Sequence, residues 1–281
     1  METVGERRLW SFVDQQSHIT SVKCSAVRHS NGFRVVSYLD LARRVAELQF
    51  RNRDLLLFFR GQSSDHRNRA NNTCLKPTIF RSQSFKIKDG ELARRYSTLN
   101  TAEAALINAY KAKIISDTGI LLRQQIVRWS ILQHYEVCPT PMLDVTHSLR
   151  IATSFASIDK SKECYIMVIG VPNLSGVITA CAEAGLQIIR LSGVCPPSAV
   201  RPHIQEGYLL TQYPEISEFD QTLQYKLHEI DFGRRLVAKF KFEPEEFWKN
   251  SEGFPRINPE ALYPEKDPLL EITREIKKAL P

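Results

Sequence analysis

No apolar run in the 281 residues approaches the roughly 18 that a membrane-spanning helix needs. The opening stretch Met1-Glu2-Thr3-Val4-Gly5-Glu6-Arg7-Arg8 has charge but no apolar core after it, so it does not read as a secretory signal. Cys24, Cys74, Cys138, Cys164, Cys181 and Cys195 are scattered, with no CxxC pair. They read as reduced thiols of a cytoplasmic protein, not as a disulfide frame or a zinc site. There is no internal repeat, low-complexity tract or long linker. No GxGxxG follows a strand and there is no GxxxxGK[ST], so neither a Rossmann site nor a phosphate loop is signalled. GxSxG and HExxH are missing too, which removes the hydrolase elbow and the zinc-protease helix.

What is present is an ordinary globular composition, 43% hydrophobic and 25% charged, with an uneven charge. Residues 1–100 hold 18 Lys/Arg against 9 Asp/Glu, whereas the rest holds 20 against 22. A basic front half attracts nucleic acid, a dinucleotide or an acidic partner, or simply serves as a solvated surface.

Ser37 opens a helix in capping-box style, with Leu41, Val45 and Leu48 at helical spacing. Residues 55–59 are continuously apolar, as a strand covered on both faces is. The polar stretch 62–90 reads as a long loop, 91–116 and 119–135 as helices, and Ser148–Ala156 as a short helix burying Ile151, Ala152 and Phe155. In the second helix Leu121, Ile126, Trp129, Leu132 and Tyr135 share a face, and Cys138-Pro139-Thr140-Pro141 stops it. Short strands follow at Cys164–Val171, Leu186–Leu191, Gly207–Leu210 and Leu236–Phe242, then a terminal helix from about Pro268 to Leu280. This order predicts an α+β fold, with helices mainly early and an antiparallel or mixed sheet late.

Three segments carry candidate chemistry. Arg60 follows five apolar residues and precedes Gly61-Gln62. A guanidinium at a strand end suits a phosphate or diphosphate, and glycine permits close approach. The competing reading is a structural ion pair with a carboxylate such as Asp144. Asp144-Val145-Thr146-His147-Ser148 is polar at four of five positions; Asp144 or Thr146 also fits as a cap of the next helix. His134 and His147 lie in different elements with no third ligand at a familiar spacing, so no metal site is expected. Gln205-Glu206 meets Gly207 at a strand start, where only one of the pair is expected to face a ligand.

Together the segments resemble the FRG domain family. The carrying motifs are Phe59-Arg60-Gly61, then Gln133 to Thr146 as the Gln-His-Tyr-Gly-x-Pro-Thr-x-x-Leu-Asp-x-Thr segment. Ala152-Thr153-Ser154-Phe155-Ala156, Gln205-Glu206-Gly207-Tyr208-Leu209 and Leu262-Tyr263-Pro264 follow in order, so the resemblance spans roughly 38–280. It implies an N-terminal extension over 1–36 and one FRG domain over 37–281. Glu136 stands where the family usually has Gly, Cys138 lies in an altered turn, His147 and Ser148 replace other polar choices, and Leu209 replaces Phe.

The motif order is also similar to that of the ADP-ribosyltransferase superfamily, which implies split mixed or antiparallel sheets between N-terminal helices and a C-terminal helix. It implies NAD as co-substrate, no metal, and transfer of ADP-ribose to RNA, DNA or protein, with nucleic acid favoured by the basic front half. The resemblance further implies an effector of a bacterial toxin–antitoxin or anti-phage system, with an antitoxin or chaperone partner and no membrane. By the same resemblance, Arg60, Thr146, Gln205 and Glu206 are the catalytic candidates. Arg60, Gly61, Gln62, Tyr135, Asp144 and His147 are the candidates for holding NAD, with Tyr135 or Phe155 stacking on nicotinamide; Phe155 also fits as core. A non-catalytic nucleotide-sensing module, an NAD glycohydrolase and a nucleic-acid-binding protein stay open as alternatives.

Overall fold

The computed structural model describes residues 8–13, 18–82, 87–112, 118–159, 161–173, 175–222 and 230–280. Residues 83–86 of the expected loop and 113–116 of the expected helix lie outside these. The described strands are β1 (Arg8–Ser11), β2 (Thr20–Lys23), β3 (Phe33–Arg34), β4 (Leu55–Gln62), β5 (Leu143–Thr146), β6 (Cys164–Pro172), β7 (Ile178–Cys181), β8 (Leu186–Arg190), β9 (Gly207–Gln212) and β10 (Leu236–Phe242). β1 and β2 form a small antiparallel pair, and the other eight make one mixed sheet in the order β3-β10-β6-β4-β5-β9-β8-β7. The β3–β10 pair is parallel.

The centre of that sheet is uneven. β4 pairs with β6 along its whole length, from Leu55 opposite Pro172 to Gln62 opposite Tyr165. On its other side it meets β5 at a single pair, Phe59 opposite Thr146. Each half is continuous, and the halves are joined at one point before the strands part.

The described helices are α1 (Cys24–His29), α2 (Tyr38–Arg51), α3 (Asp89–Ala112), α4 (Thr118–Arg123), α5 (Gln125–His134), α6 (Leu149–Ala156), α7 (Leu191–Val194), α8 (Val200–Ile204), α9 (Phe219–Thr222), α10 (Pro244–Lys249), α11 (Pro259–Leu262) and α12 (Pro268–Ala279). The Ser37 hydroxyl accepts from Asp40 N and caps α2 as expected. The single helix expected over 119–135 is broken, because Gln124 is extended. Arg128 Nη1 donates to the carbonyls of Leu121 (2.7 Å) and Leu122 (3.0 Å), satisfying groups that the break strands. Arg128 in turn is paired with Glu103 at 2.7 Å.

Two apolar cores result. One gathers β3, β10, β6 and β4 with residues of β1 and α1, including Phe12, Phe58, Val168 and Phe240. The stretch assigned to an N-terminal extension thus contributes to this core through Leu9, Phe12 and Val27. The other packs α3, α5 and α12 with Ile189 and Leu209 of the far half of the sheet, around Trp129 and Leu106. No described helix is long and apolar enough to cross a membrane.

Candidate functional site

Where β4 and β5 part, the side chains at their ends border a cavity of about 360 Å³. β4 supplies Phe59, Arg60, Gly61 and Gln62, and β5 supplies Asp144 and Thr146. α6 closes one side with Ala152 and Phe155, and the end of α5 presents Gln133 and His134. Gly61 makes the α6 wall possible. A Cβ there would lie 1.9 Å from the Ala152 carbonyl oxygen, so the close approach that the glycine permits is made by the helix backbone.

Arg60 Nη1 donates to the backbone carbonyl of Asp144 at 2.7 Å. The ion pair with the Asp144 carboxylate, the structural alternative, is not formed. That carboxylate is occupied elsewhere: Gln133 Nε2 donates to its Oδ2 at 2.6 Å, and His134 Nδ1 lies 3.6 Å from its Oδ1. Arg60 Nε is buried with no hydrogen-bond partner, and so are Gln62 Oε1, His134 Nε2 and Arg201 Nε. All four side chains line the cavity. Four of the ten buried polar atoms without a partner among the described residues thus lie on side chains that line this one cavity, where a bound group could satisfy them.

The electrostatics agree. Burial pulls the Arg60 pKa down from its ordinary value, and the charge of Asp144 offsets this in part. Arg81, on the same cavity, is also pulled down, first by loss of water around its guanidinium and then by the field of Arg60. His66 is lowered by burial and by both arginines. This end of the cavity therefore concentrates positive charge that an anion would relieve. Asp144 adjoins Arg60, and its pKa is lowered despite burial because His134 and Arg60 favour its charged form. Glu136 gives the cavity a second carboxylate, paired with Arg201 at 2.9 Å. The Arg201 guanidinium lies over the ring of Tyr263, 4.6 Å from its centre.

Thr146 acts as a fastener. Its hydroxyl shares a proton between the carbonyls of Gln205 and Glu206, both at 3.1 Å, and accepts from Ser148 N at 3.1 Å. It does not cap α6; Ser148 does. Gln205 is on the wall, with its amide nitrogen donating to the Leu262 carbonyl at 2.7 Å.

Three expected residues do not line the cavity. Tyr135 is buried in the helical core, and its hydroxyl donates to Asp267 Oδ2 at 2.8 Å. His147 follows Thr146 by one position, so strand alternation turns it to the opposite face, where it stacks between Phe58 and Tyr208. Glu206 is exposed, at a positive φ of 45°. Phe155, expected on the buried face of its helix, is instead half-buried on the cavity wall, where it meets Tyr263 edge-on and joins neither apolar core. Among the described residues no three metal-ligating side chains gather to hold a metal. Arg81, His66 and Glu136 are cavity residues that no sequence motif marked as such.

The parted sheet and its arginine-bordered cleft belong to an α+β domain. Residues 56–164 match the model of the FRG domain. The match takes in Arg60, the Gln133–Thr146 segment and α6, and leaves Gln205 and the terminal helix outside it. No curated protein and no solved structure matches the chain.

Proposed function

We propose that the cavity binds the diphosphate of NAD and that the protein transfers ADP-ribose to a macromolecular acceptor, with release of nicotinamide. One observation carries this reading: Arg60 and Arg81 line one cavity, burial and then the charge of Arg60 lower the proton affinity of Arg81, and Arg60 Nε has no partner. A diphosphate between them would satisfy the free donor and cancel the repulsion, through charge-assisted contacts.

Breaking the ribose–nicotinamide bond builds positive charge on the ribose. A carboxylate that stays ionised stabilises such a charge, and Asp144 is held in that form. Gln205, neutral and with its nitrogen tied to Leu262, is left to shape the pocket wall. Thr146 holds the two strand ends together. The excess of Lys and Arg in residues 1–100 favours a nucleic-acid acceptor. An effector role in toxin–antitoxin or anti-phage defence, as the family resemblance implies, is compatible with such an activity.

The test is incubation of the protein with labelled NAD and cell lysate, followed by separate protease and nuclease digestion. Label that nuclease removes supports transfer to nucleic acid; free ADP-ribose alone would make the protein a glycohydrolase. Arg60→Ala is expected to abolish turnover with the melting temperature nearly intact. A large loss of thermal stability would return Arg60 to a structural role.

A further inference from the structure

Gln133 and His134 end α5 at the cavity wall. His134 is buried, and its Nε2 has no hydrogen-bond partner. Its Nδ1 faces the Asp144 carboxylate at 3.6 Å. His147 Nε2 is unpartnered as well, but that ring is held by stacking away from the cavity, whereas His134 lines the cavity and has a carboxylate behind its other nitrogen.

The carboxylate is itself oriented. Gln133 Oε1 accepts from Thr140 Oγ1 at 2.5 Å and from Thr78 Oγ1 at 3.1 Å. With its oxygen so engaged, Gln133 must turn its NH₂ toward Asp144 Oδ2, 2.6 Å away. Gly207 leaves room for the ring: a Cβ there would lie 3.3 Å from His134 Cε1 and 2.7 Å from Leu191 Cδ1. A carboxylate behind one imidazole nitrogen and a free second nitrogen is the arrangement of an oriented general base.

Resting on the transfer reading above, we propose that His134 Nε2 is the base that takes the proton of the incoming nucleophile, with Asp144 and Gln133 as positioning residues. In this step the bond from ribose C1 to the nicotinamide nitrogen breaks, and its electron pair leaves with nicotinamide, whose ring becomes neutral. A lone pair of the acceptor's O–H or N–H group forms the new bond to the same carbon. The released proton moves to Nε2, and the imidazolium is stabilised by Asp144 until it returns the proton to solvent.

The charged groups facing the ring are Asp144 from β5, Arg201 from α8 and Glu136 just beyond α5. Burial is the largest influence and keeps His134 neutral near pH 7, with Arg201 acting in the same direction and the two carboxylates against it. The wild-type rate should therefore be flat at neutral pH and fall on acidification, as Nε2 becomes protonated.

The experiment measures the rate of labelled ADP-ribose transfer across pH, and NAD affinity by calorimetry, on the full chain. H134Q should slow transfer about 100-fold or more, remove the acid limb and leave NAD binding in place. D144N should slow transfer and move the acid limb to lower pH, because the imidazolium loses its counter-charge; a limb set by a group remote from Asp144 would not move, and this readout decides should H134Q not fold. Wild-type rate with the acid limb retained in H134Q, or an unmoved limb in D144N, would overturn the assignment. Absence of nicotinamide release from the wild-type protein in every arm would overturn the transfer reading, and this assignment with it.

Discussion

Two clusters of charged side chains, one centred on the loop that follows β4 and one at the cavity, are built in opposite ways. In the first, Asp65 Oδ2 accepts from Lys239 Nζ (2.8 Å) and from Arg67 Nε (2.9 Å), while its Oδ1 accepts from Thr73 (2.7 Å). Arg28 pairs with Asp231 at 2.5 Å, and the second oxygen of Asp231 takes the backbone N–H groups of Leu75 and Gly233. None of these side chains has a buried polar atom without a partner. In the second cluster, around Arg60 and Arg81, the cations face each other and Arg60 Nε is bonded to nothing. The first cluster is the more deeply buried, with Lys239 fully so while Arg81 is exposed; what further separates scaffold from site is whether the hydrogen bonds are complete.

The sharpest way to break this comparison is to remove a partner from the completed cluster. Asp65→Ala would strand the fully buried Lys239 ammonium without its carboxylate. The expected loss is about 3–5 kcal/mol of unfolding free energy, read by urea denaturation of the purified protein. A variant with the wild-type midpoint would show that completed bonding is no guide to structural load.

The opposite outcome is expected in the cavity. Arg81→Gln removes an exposed cation that Arg60 repels and whose hydrogen bond, from Nε to the Lys76 carbonyl at 2.9 Å, is open to water. Stability should be unchanged, while affinity for a diphosphate ligand falls by about 1.5–3 kcal/mol, or roughly 10- to 150-fold. Calorimetry with NAD or ADP measures the second quantity, and a thermal melt the first. Parallel losses of stability and affinity would merge the two clusters into one kind.

Much of this arrangement was legible in the sequence, for reasons that differ by residue. The apolar run of β4 and the bounds of β10 follow from composition, since a strand buried on both faces has little choice of residue. Arg60 stood out because it ends the apolar run of β4, which continues as a strand to Gln62, and Asp144 because it is the one charge in β5. His147 misled because a strand turns its neighbours to opposite faces, and only the register tells which face carries the cavity. Tyr135 misled because its partner, Asp267, is 132 positions away. Arg81 had no signal: its segment is placed by Arg95, whose Nη1 donates to the carbonyls of Thr78, Ile79 and Arg81. The strands β1 and β3 were missed because they have four and two residues, too few for a periodic pattern.

A position where the chain departs from the FRG pattern sharpens the comparison at its finest scale. Glu136 occupies the place where the family usually has Gly, and its φ is +55°. A glycine adopts that conformation freely, whereas another residue pays roughly 1–2 kcal/mol in steric strain. The one visible return is the contact of its carboxylate with Arg201, at 2.9 Å and with 61% of the Glu136 side chain exposed. Ion pairs so open to water contribute about 0–1 kcal/mol. Glu136→Gly is therefore expected to leave the protein as stable as before, or more stable by up to about 1 kcal/mol, read as a small rise in the denaturation midpoint. The same change releases the Arg201 Nη2 donor beside an Nε that is already unpartnered. Affinity for an anionic ligand should then rise, so that stability and binding move together in the direction opposite to Asp65→Ala. A fall in affinity would mean that Glu136 itself touches the ligand, and that the carboxylates of the cavity, not its arginines, set what it holds.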